Sequence, residues 1–409
     1  LQKNAESLLM KMATQQSTQL WSLSANAAEY ERHRNLLSGR LKNSLDPDGI
    51  NAQTMAASLS RLSFTTRLEV VHDGCDIRKP NSRTLPNLTK VRALDGSIVN
   101  GYNTFNSLVI SDSDKSIHLL NSTAYSSADP HYNLIAGAGF TYDQLVLGQI
   151  SRCDQALKDR FADIEVRHLL DRGHDDQKVF EHIDGLGSTF VIRAKANRNS
   201  EQFTLTGQGK KKAIKLLDAK LEKSYTQGLL KFVWKGKTYP HSHIQIDQGT
   251  LTLTESSYTV LRIKVFDRSA KAIFKDAMLL VTNEPCPDFE SCFAVYQAYL
   301  RRSKIESVFK FLKDNLGWET FRVHDFMVIQ NVIALCFFVA GYFYEHQREI
   351  TDDPQARFIC SLANSKGRVT RHFYLEGLKI MANYILFQEA VREQNVPQKT
   401  VIELLSILK

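Results

Sequence analysis

The six cysteines of this 409-residue chain form no motif. Cys75, Cys153, Cys286, Cys292, Cys336 and Cys360 include no CxxC pair, and none stands beside a histidine at zinc-ligand spacing. That argues against a zinc ribbon or a disulfide-stapled scaffold, and predicts reduced, mostly buried thiols of a cytosolic protein. No secretory signal is visible, and the chain begins at Leu1 instead of Met, which leaves room for missing N-terminal residues. Long apolar runs are absent too. The most apolar stretch, Val332 to Phe343, falls well short of the roughly 20 residues that cross a bilayer. It is expected to be a buried core helix, and no membrane partner is expected. There is no internal repeat, and the one biased tract is Lys210, Lys211 and Lys212, expected as a solvated loop. The formal net charge is +8 with a pI near 9.0. Such a mild excess is compatible with a polyanionic partner without demanding one.

The length suggests two or three domains. Residues 1–60 are polar and nearly free of Pro and Gly, and the segments NAESLLMKMATQQSTQLWSLS and AAEYERHRNLLSGRL predict two or three amphipathic helices. Asp46, Pro47, Asp48 and Gly49 mark a turn. From residue 67 the pattern changes. RLEVVHDG is an apolar strand reaching an acid, residues 78–95 form a Pro/Asn-rich loop, and strands follow around FNSLVIS and SIHLLNSTAY. Then come a helix around YDQLVLGQISRCDQALKDRF, the strand VRHLLDRG, the helix DDQKVFEHI and the strand STFVIRAK. This is an α/β order with mixed sheet directions, that of a ribonuclease-H-like fold, over residues 61–198. Between 199 and 284 the short alternating runs FTLTG, LLKFVWKG, HIQID, TLTLT, TVLRIKVF and AMLLVT predict a mainly antiparallel β insertion. AIKLLDAKLEKS is its clear helix candidate. After NEPCPD the chain is helical again: residues 285–345 complete the core, and 346–409 form a helical C-terminal region.

The stretch YLRRSKIESVFKFLK holds the strongest chemical signal. It lacks Gly and Pro, and Ile305, Val308, Phe309 and Leu312 recur at helical spacing. On one continuous helix, Tyr299, Arg302, Glu306 and Lys313 fall at roughly 0°, 300°, 340° and 320° and form one polar stripe about 21 Å long. A carboxylate there can bind a metal ion, while arginine, lysine and tyrosine can hold phosphates. A Lys/Arg/Glu-rich face is otherwise a solvated one with i,i+4 pairs, so spacing alone does not decide. Two further acids end apolar strands: Asp73 in EVVHDG and Asp171 in HLLDRG. In a ribonuclease-H-like sheet those strands lie side by side. Strand ends suit metal ligands, because the sheet fixes the backbone while the side chain faces a cleft. Asp76 and Asp95 are rivals of Asp73, and Asp175 and Asp176 are expected to cap the next helix. His72 is assigned no role.

Tyr, two residues, Arg, three residues, Glu, six residues, Lys is the signature of bacterial DDE transposases of the insertion-sequence-four group, the group of transposon five, and residues 299–313 match it throughout. DRGHDDQKVFEHI and GSTFVIRAKANR also resemble the group's second-acid block. The resemblance spans residues 65–345. It implies Asp73, Asp171 and Glu306 as catalytic, metal-binding acids, with two Mg²⁺ or Mn²⁺ ions expected. It implies DNA contacts from Tyr299, Arg302 and Lys313, and from Arg193, Lys195 and Arg198. A threonine is usual where Cys75 stands, and the group's base-stacking tryptophan is replaced by Met278; Trp234 is a second candidate for that role. The implied reaction is metal-dependent cleavage of transposon ends through a hairpin, then strand transfer into target DNA. The expected partners are double-stranded DNA, as terminal inverted repeats and target, and a second copy of the chain. The helices of 1–60 become candidates for DNA-end contacts, and the C-terminal helices for the dimer. The expected location is the bacterial cytoplasm, at the nucleoid. A nuclease without strand transfer and a non-catalytic DNA-binding inhibitor are the alternatives.

Overall fold

Period-two alternation sends each strand's side chains to opposite faces of a sheet, and here a different helical layer covers each face. The computed structural model describes residues 2–40, 44–63, 66–129, 141–196, 215–234, 236–253, 256–364 and 366–394. Three helices open the chain: α1 (Gln2–Gln15), α2 (Ala27–Leu36) and α3 (Pro47–Arg61). The Asp46-Pro47 signal starts α3 and is not a free turn. The Asp46 side chain accepts from the Gly49 amide, and Pro47 takes the first helical position, where its missing N–H costs nothing.

The strands β1 (Arg67–Arg78), β2 (Thr89–Arg92), β3 (Ile98–Ser111) and β4 (Ile117–Tyr125) come next. Then follow α4 (Tyr142–Arg160), β5 (Glu165–Leu170), a 3-10 turn (Arg172–His174), α5 (Gln177–Gly185) and β6 (Thr189–Arg193). The strands β7 (Lys223–Trp234), β8 (Lys237–Leu253), β9 (Ser256–Phe266) and β10 (Met278–Thr282) complete one ten-stranded mixed sheet among the described residues. Its order is β2-β3-β1-β5-β6-β10-β9-β8-β7, and β4 also pairs with β3. Only β1–β5 and β5–β6 are parallel.

The segment expected as an insertion continues this same sheet, through the antiparallel pairs β7–β8, β8–β9 and β9–β10. HIQID and the described part of TLTLT belong to a single long strand, β8, and FTLTG lies outside the described residues. The helix expected from AIKLLDAKLEKS does not form over its described part. Residues 216–219 turn, and Lys223 already belongs to β7. Arg262 explains this, since it takes the carbonyls of Leu217 and Ala219 (both 2.8 Å) that a helix would need for itself.

The remaining helices are α6 (Phe289–Arg301), α7 (Lys304–Asn315), α8 (Phe326–Glu345), α9 (Gln347–Asp352), α10 (Pro354–Ala363) and α11 (Arg371–Glu393). Val71, Leu169, Val191, Leu261 and Leu280 pack with α6, α7 and α8 in one cluster. Their strand neighbours Leu170, Phe190, Ile192, Val260 and Val281 pack with α4 and α5 on the other face. By length and composition α8 could cross a membrane, yet 72% of its apolar window is buried inside the protein, as expected of a core helix.

Gly101 sits where β3 meets both β1 and β2. A Cβ there would lie 2.2 Å from the Ile77 carbonyl oxygen and 2.6 Å from Val91 Cγ2. Gly101→Ala is expected to cost about 1–3 kcal/mol of stability, read as a lower urea midpoint. An unchanged midpoint would show that the β1–β3 approach is not constrained there.

Candidate active site

The site starts from register. In the parallel β1–β5 pair, Glu69 stands opposite Arg167 and Val71 opposite Leu169. Asp73 and Asp171 lie two residues beyond Val71 and Leu169, on the same alternating face, the one covered by α6, α7 and α8. Asp73 does not end its strand, because β1 continues to Arg78 against β3. What ends near Asp73 is the pairing with β5, whose last register pair is Val71–Leu169. Asp171 directly follows β5 and caps the 3-10 turn. Its Oδ1 accepts from the Gly173 amide at 2.8 Å and faces His174 Nδ1 at 3.0 Å. The other nitrogen of His174 lies 3.0 Å from the Tyr142 hydroxyl.

The signature stretch is two helices and not one. At the junction of α6 and α7 the amides of Arg302 and Glu306 bond back three residues, to Tyr299 (3.0 Å) and Ser303 (3.2 Å). Bonding of this kind winds the chain more tightly than an α-helix, so the four signature residues do not share one straight stripe. Tyr299 is buried beneath the junction. Arg302 turns inward, giving one guanidinium nitrogen to Asp73 Oδ2 at 2.6 Å and the other to Glu306 Oε1 at 2.8 Å. Lys313 reaches the Asp76 carbonyl oxygen at 2.6 Å and Glu319 at 3.1 Å. Thus α7 lies along β1, from Asp73 to Asp76. Leu316 and Gly317 close it: Gly317 takes the left-handed conformation at φ +62° that helix ends favour in glycine, and the amides of Leu316 (3.3 Å) and Trp318 (3.0 Å) both bond back to the Leu312 carbonyl.

Electrostatics make these acids unequal. Burial pushes the Asp73 carboxyl up to about 6, Arg302 pulls it down, and the neighbouring Asp171 pushes it up again. Burial also acts to raise Asp171, but hydrogen bonds from His174 and Gly173 and the charge of Arg302 leave it below its usual range. Arg302 is opposed by burial and held charged by Asp73, Glu306 and Asp171. One guanidinium therefore stands as the cation among all three acids.

All three donors are carboxylate oxygens, the set that suits a hard divalent cation. Among the described residues they do not close around a single point; Arg302 bridges two of them instead. The fit is one of chemistry and charge, with the arginine standing in for an ion.

The rivals of Asp73 have other partners. Asp76 accepts from Asn103 at 2.9 Å and from the Arg92 amide at 3.1 Å, and Asp95 closes an exposed turn with Ser97. Asp176 caps α5 as expected, whereas Asp175 accepts from the Lys195 amide at 2.8 Å. His72 is fully buried on the opposite face, between Ser107 (2.7 Å) and His168 (2.9 Å). Arg193, at the end of β6, acts electrostatically on Tyr299, and Lys195 is exposed just beyond it. Arg198 lies outside the described residues. Met278 is buried in the core, so it presents no open surface to a base. Trp234 is partly buried beside Phe232 and Phe274.

Sequence reading missed the charges beneath the site. Arg167 is buried, bonding Glu69 at 3.2 Å and Glu284 at 2.5 and 2.6 Å. Arg301 grips both carboxylate oxygens of Glu69. The residue before Arg302 is thereby tied to the strand that carries Asp73, four positions upstream of it. The available signal was a charge inside each apolar strand, at the same offset from each aspartate.

An α/β sheet that gathers carboxylates from two parallel strands toward a helix-borne glutamate is an arrangement suited to phosphoryl transfer. Residues 138–341 match the family model described as the transposase DDE domain. No curated protein matches the chain. The match covers α4 to most of α8, with Asp171 and Glu306 inside it and Asp73 before it. It supports a DDE transposase, and with that a DNA-acting, generally divalent-metal-dependent protein.

Two predictions follow from the charges. A site-resolved carboxyl NMR titration should find the Asp73 midpoint near pH 6. Because Arg302 lowers that midpoint, Arg302→Ala should move it upward and Asp171→Asn downward; a midpoint blind to both would refute the coupling. Glu69→Ala leaves buried Arg167 and part-buried Arg301 without their shared acid. It should cost about 3–5 kcal/mol in chemical unfolding, and a loss below one would mean that the network contributes little.

Proposed function

We propose that this chain is the transposase of a bacterial insertion sequence of the insertion-sequence-four group, excising element ends and joining them to target DNA. One observation carries the reading. Asp73, Asp171 and Glu306, drawn from two parallel strands and one helix, share a single cation, Arg302. The transposase DDE family match supports it independently. In this reading the sheet is a ribonuclease-H-like core, and β7–β9 are its β insertion.

When bound, Mg²⁺ or Mn²⁺ ions, two of them expected, would neutralise charge on the reacting phosphate. Asp73, Asp171 and Glu306 would hold them. The chain's other residues position DNA. Arg302 and Tyr299 contact the phosphate near the flipped base, Lys313 grips the strand backbone along α7, and Arg193, Lys195 and Arg198 extend the contact from the end of β6. Such contacts fix register without reading bases. Water frees a 3′-hydroxyl at the element end, that hydroxyl attacks the opposite strand to close a hairpin, and water reopens it. The freed 3′-ends then attack phosphodiesters of the target. Trp234 is the base-stacking candidate for the hairpin step. The half-exposed apolar residues Ile380, Tyr384, Ile385 and Leu386 of α11 support a homodimer holding two ends.

The test is cleavage of DNA carrying the element's own ends, with Mg²⁺, analysed on denaturing gels that separate hairpins from open ends. Glu306→Ala should lower cutting by about 10²-fold or more while leaving DNA binding in place. Hairpin products lost in the variant would establish the full route. Plain-ended cutting would keep the active site and remove the hairpin, and cut DNA with no joined product would replace the reading by a nuclease. Binding without cutting in either protein would leave a DNA-binding inhibitor.

A further inference from the structure

Two adjoining cavities, about 500 and 630 Å³, share Tyr344, Gln347 and Arg371 in their walls. Together they form one groove beside α7, on the side of Ser307 and Lys310, next to Glu306. Arg371 is half-buried, with its guanidinium 3.7 Å from the centre of the buried Tyr344 ring. Such a stack orients the guanidinium plane and leaves its N–H groups free to donate.

What sets Arg371 apart is the lack of a partner. Arg167, Arg262 and Arg302 are also withdrawn from water, and each bonds a carboxylate. Arg371 has no carboxylate and no hydrogen-bond acceptor among the described residues, and its burial lowers its pKa. The acids of the groove are otherwise engaged. Glu349 pairs with Arg61 at 3.1 Å, and Glu345 accepts from Ser58 at 2.6 Å. Among the described residues, none of these acids bonds Arg371. A desolvated cation without a counter-ion is costly, and a bound anion removes that cost.

We propose that this groove holds a phosphodiester of nucleic acid, with Arg371 as its fork-shaped donor and Lys310 as a second charge. The proposal rests on the DNA-acting reading above and goes beyond it, adding a contact outside the signature residues. Two adjoining cavities of about 500 and 630 Å³ hold more than a single free phosphate needs, which favours a chain of phosphates. Ser307 and Lys310 place the groove beside Glu306 on α7, within reach of a strand bound at the acids.

The test is fluorescence anisotropy with labelled duplexes, one carrying the element's end and one unrelated, over a salt series. Arg371→Gln should weaken both alike, about five- to tenfold, and reduce the slope of log affinity against log salt by about one. Lys310→Ala, an exposed change that spares the core, should also reduce the slope, and it carries the test if Arg371→Gln fails to fold. Unchanged affinity and slope in the folded variants, with wild type binding DNA, would overturn the groove alone. Failure of wild type to bind either duplex would overturn the transposase reading as well. A third arm adds millimolar inorganic phosphate at constant ionic strength. Duplex binding that persists supports the proposal. Displacement in wild type but not in Arg371→Gln would make this a free-phosphate site and overturn it.

Discussion

The parallel register of β1 and β5 is the constraint on which the candidate site depends. It sets Glu69 beside Arg167 and, with the same offset, brings Asp73 and Asp171 to one end of the pair. A slip by one residue would send all four side chains to the opposite face, among the apolar side chains packed under α4 and α5. The buried ion pairs lock that register chemically. A buried charge left without its partner is far more costly than a misplaced methyl group, so the pair penalises every register but one. The net stabilisation it gives is modest, because both charges lose their water on burial.

Arg301 passes this constraint from the sheet to the helices. It grips Glu69 on β1, and the next residue, Arg302, grips Asp73 on the same strand. Residues 69 and 73 share a face, while 301 and 302 are neighbours, so a continuous α-helix would point the two arginines about 100° apart. The tightened turn between α6 and α7 accompanies this double grip. The junction therefore has a structural cause, and that cause aims Glu306 along β1.

Much of this was legible in the sequence, and the gaps have a pattern. Asp171 at a strand end, Asp176 as a cap and α8 as a core helix depend on local chemistry, and local pattern revealed them. Helix breaking at Arg302 was not legible, because YLRRSKIESVFKFLK contains no breaker; the break comes from two partners on a distant strand. Residues 216–219 fail to be helical for a similar reason, since Arg262 captures their carbonyls from 43 and 45 residues away. Met278 was read by its place in a motif, but both faces of β10 are covered, and Met278 lies in the core. Glu69 and Arg167 could have been noticed as charges inside apolar strands, although only the register shows that they answer each other.

Three carboxylates converging on one small region repel each other, and a folded chain must neutralise them before any cation arrives. Arg302 does this. Its two hydrogen bonds keep Asp73 and Glu306 in place, and its charge limits the upward push of burial on Asp73. A cation taken up by those oxygens competes with the guanidinium for the same lone pairs, and a released guanidinium needs a new anion. In the transposase reading that anion is a DNA phosphate, the partner already expected of this arginine. Loading of the acids and gripping of DNA then become one linked exchange, in which each favours the other by the reciprocity of coupled binding. In that reading the arginine would do two jobs, as a placeholder without DNA and as a phosphate ligand with it. A lysine could supply the charge, but not two divergent donors that bridge an aspartate and a glutamate at once.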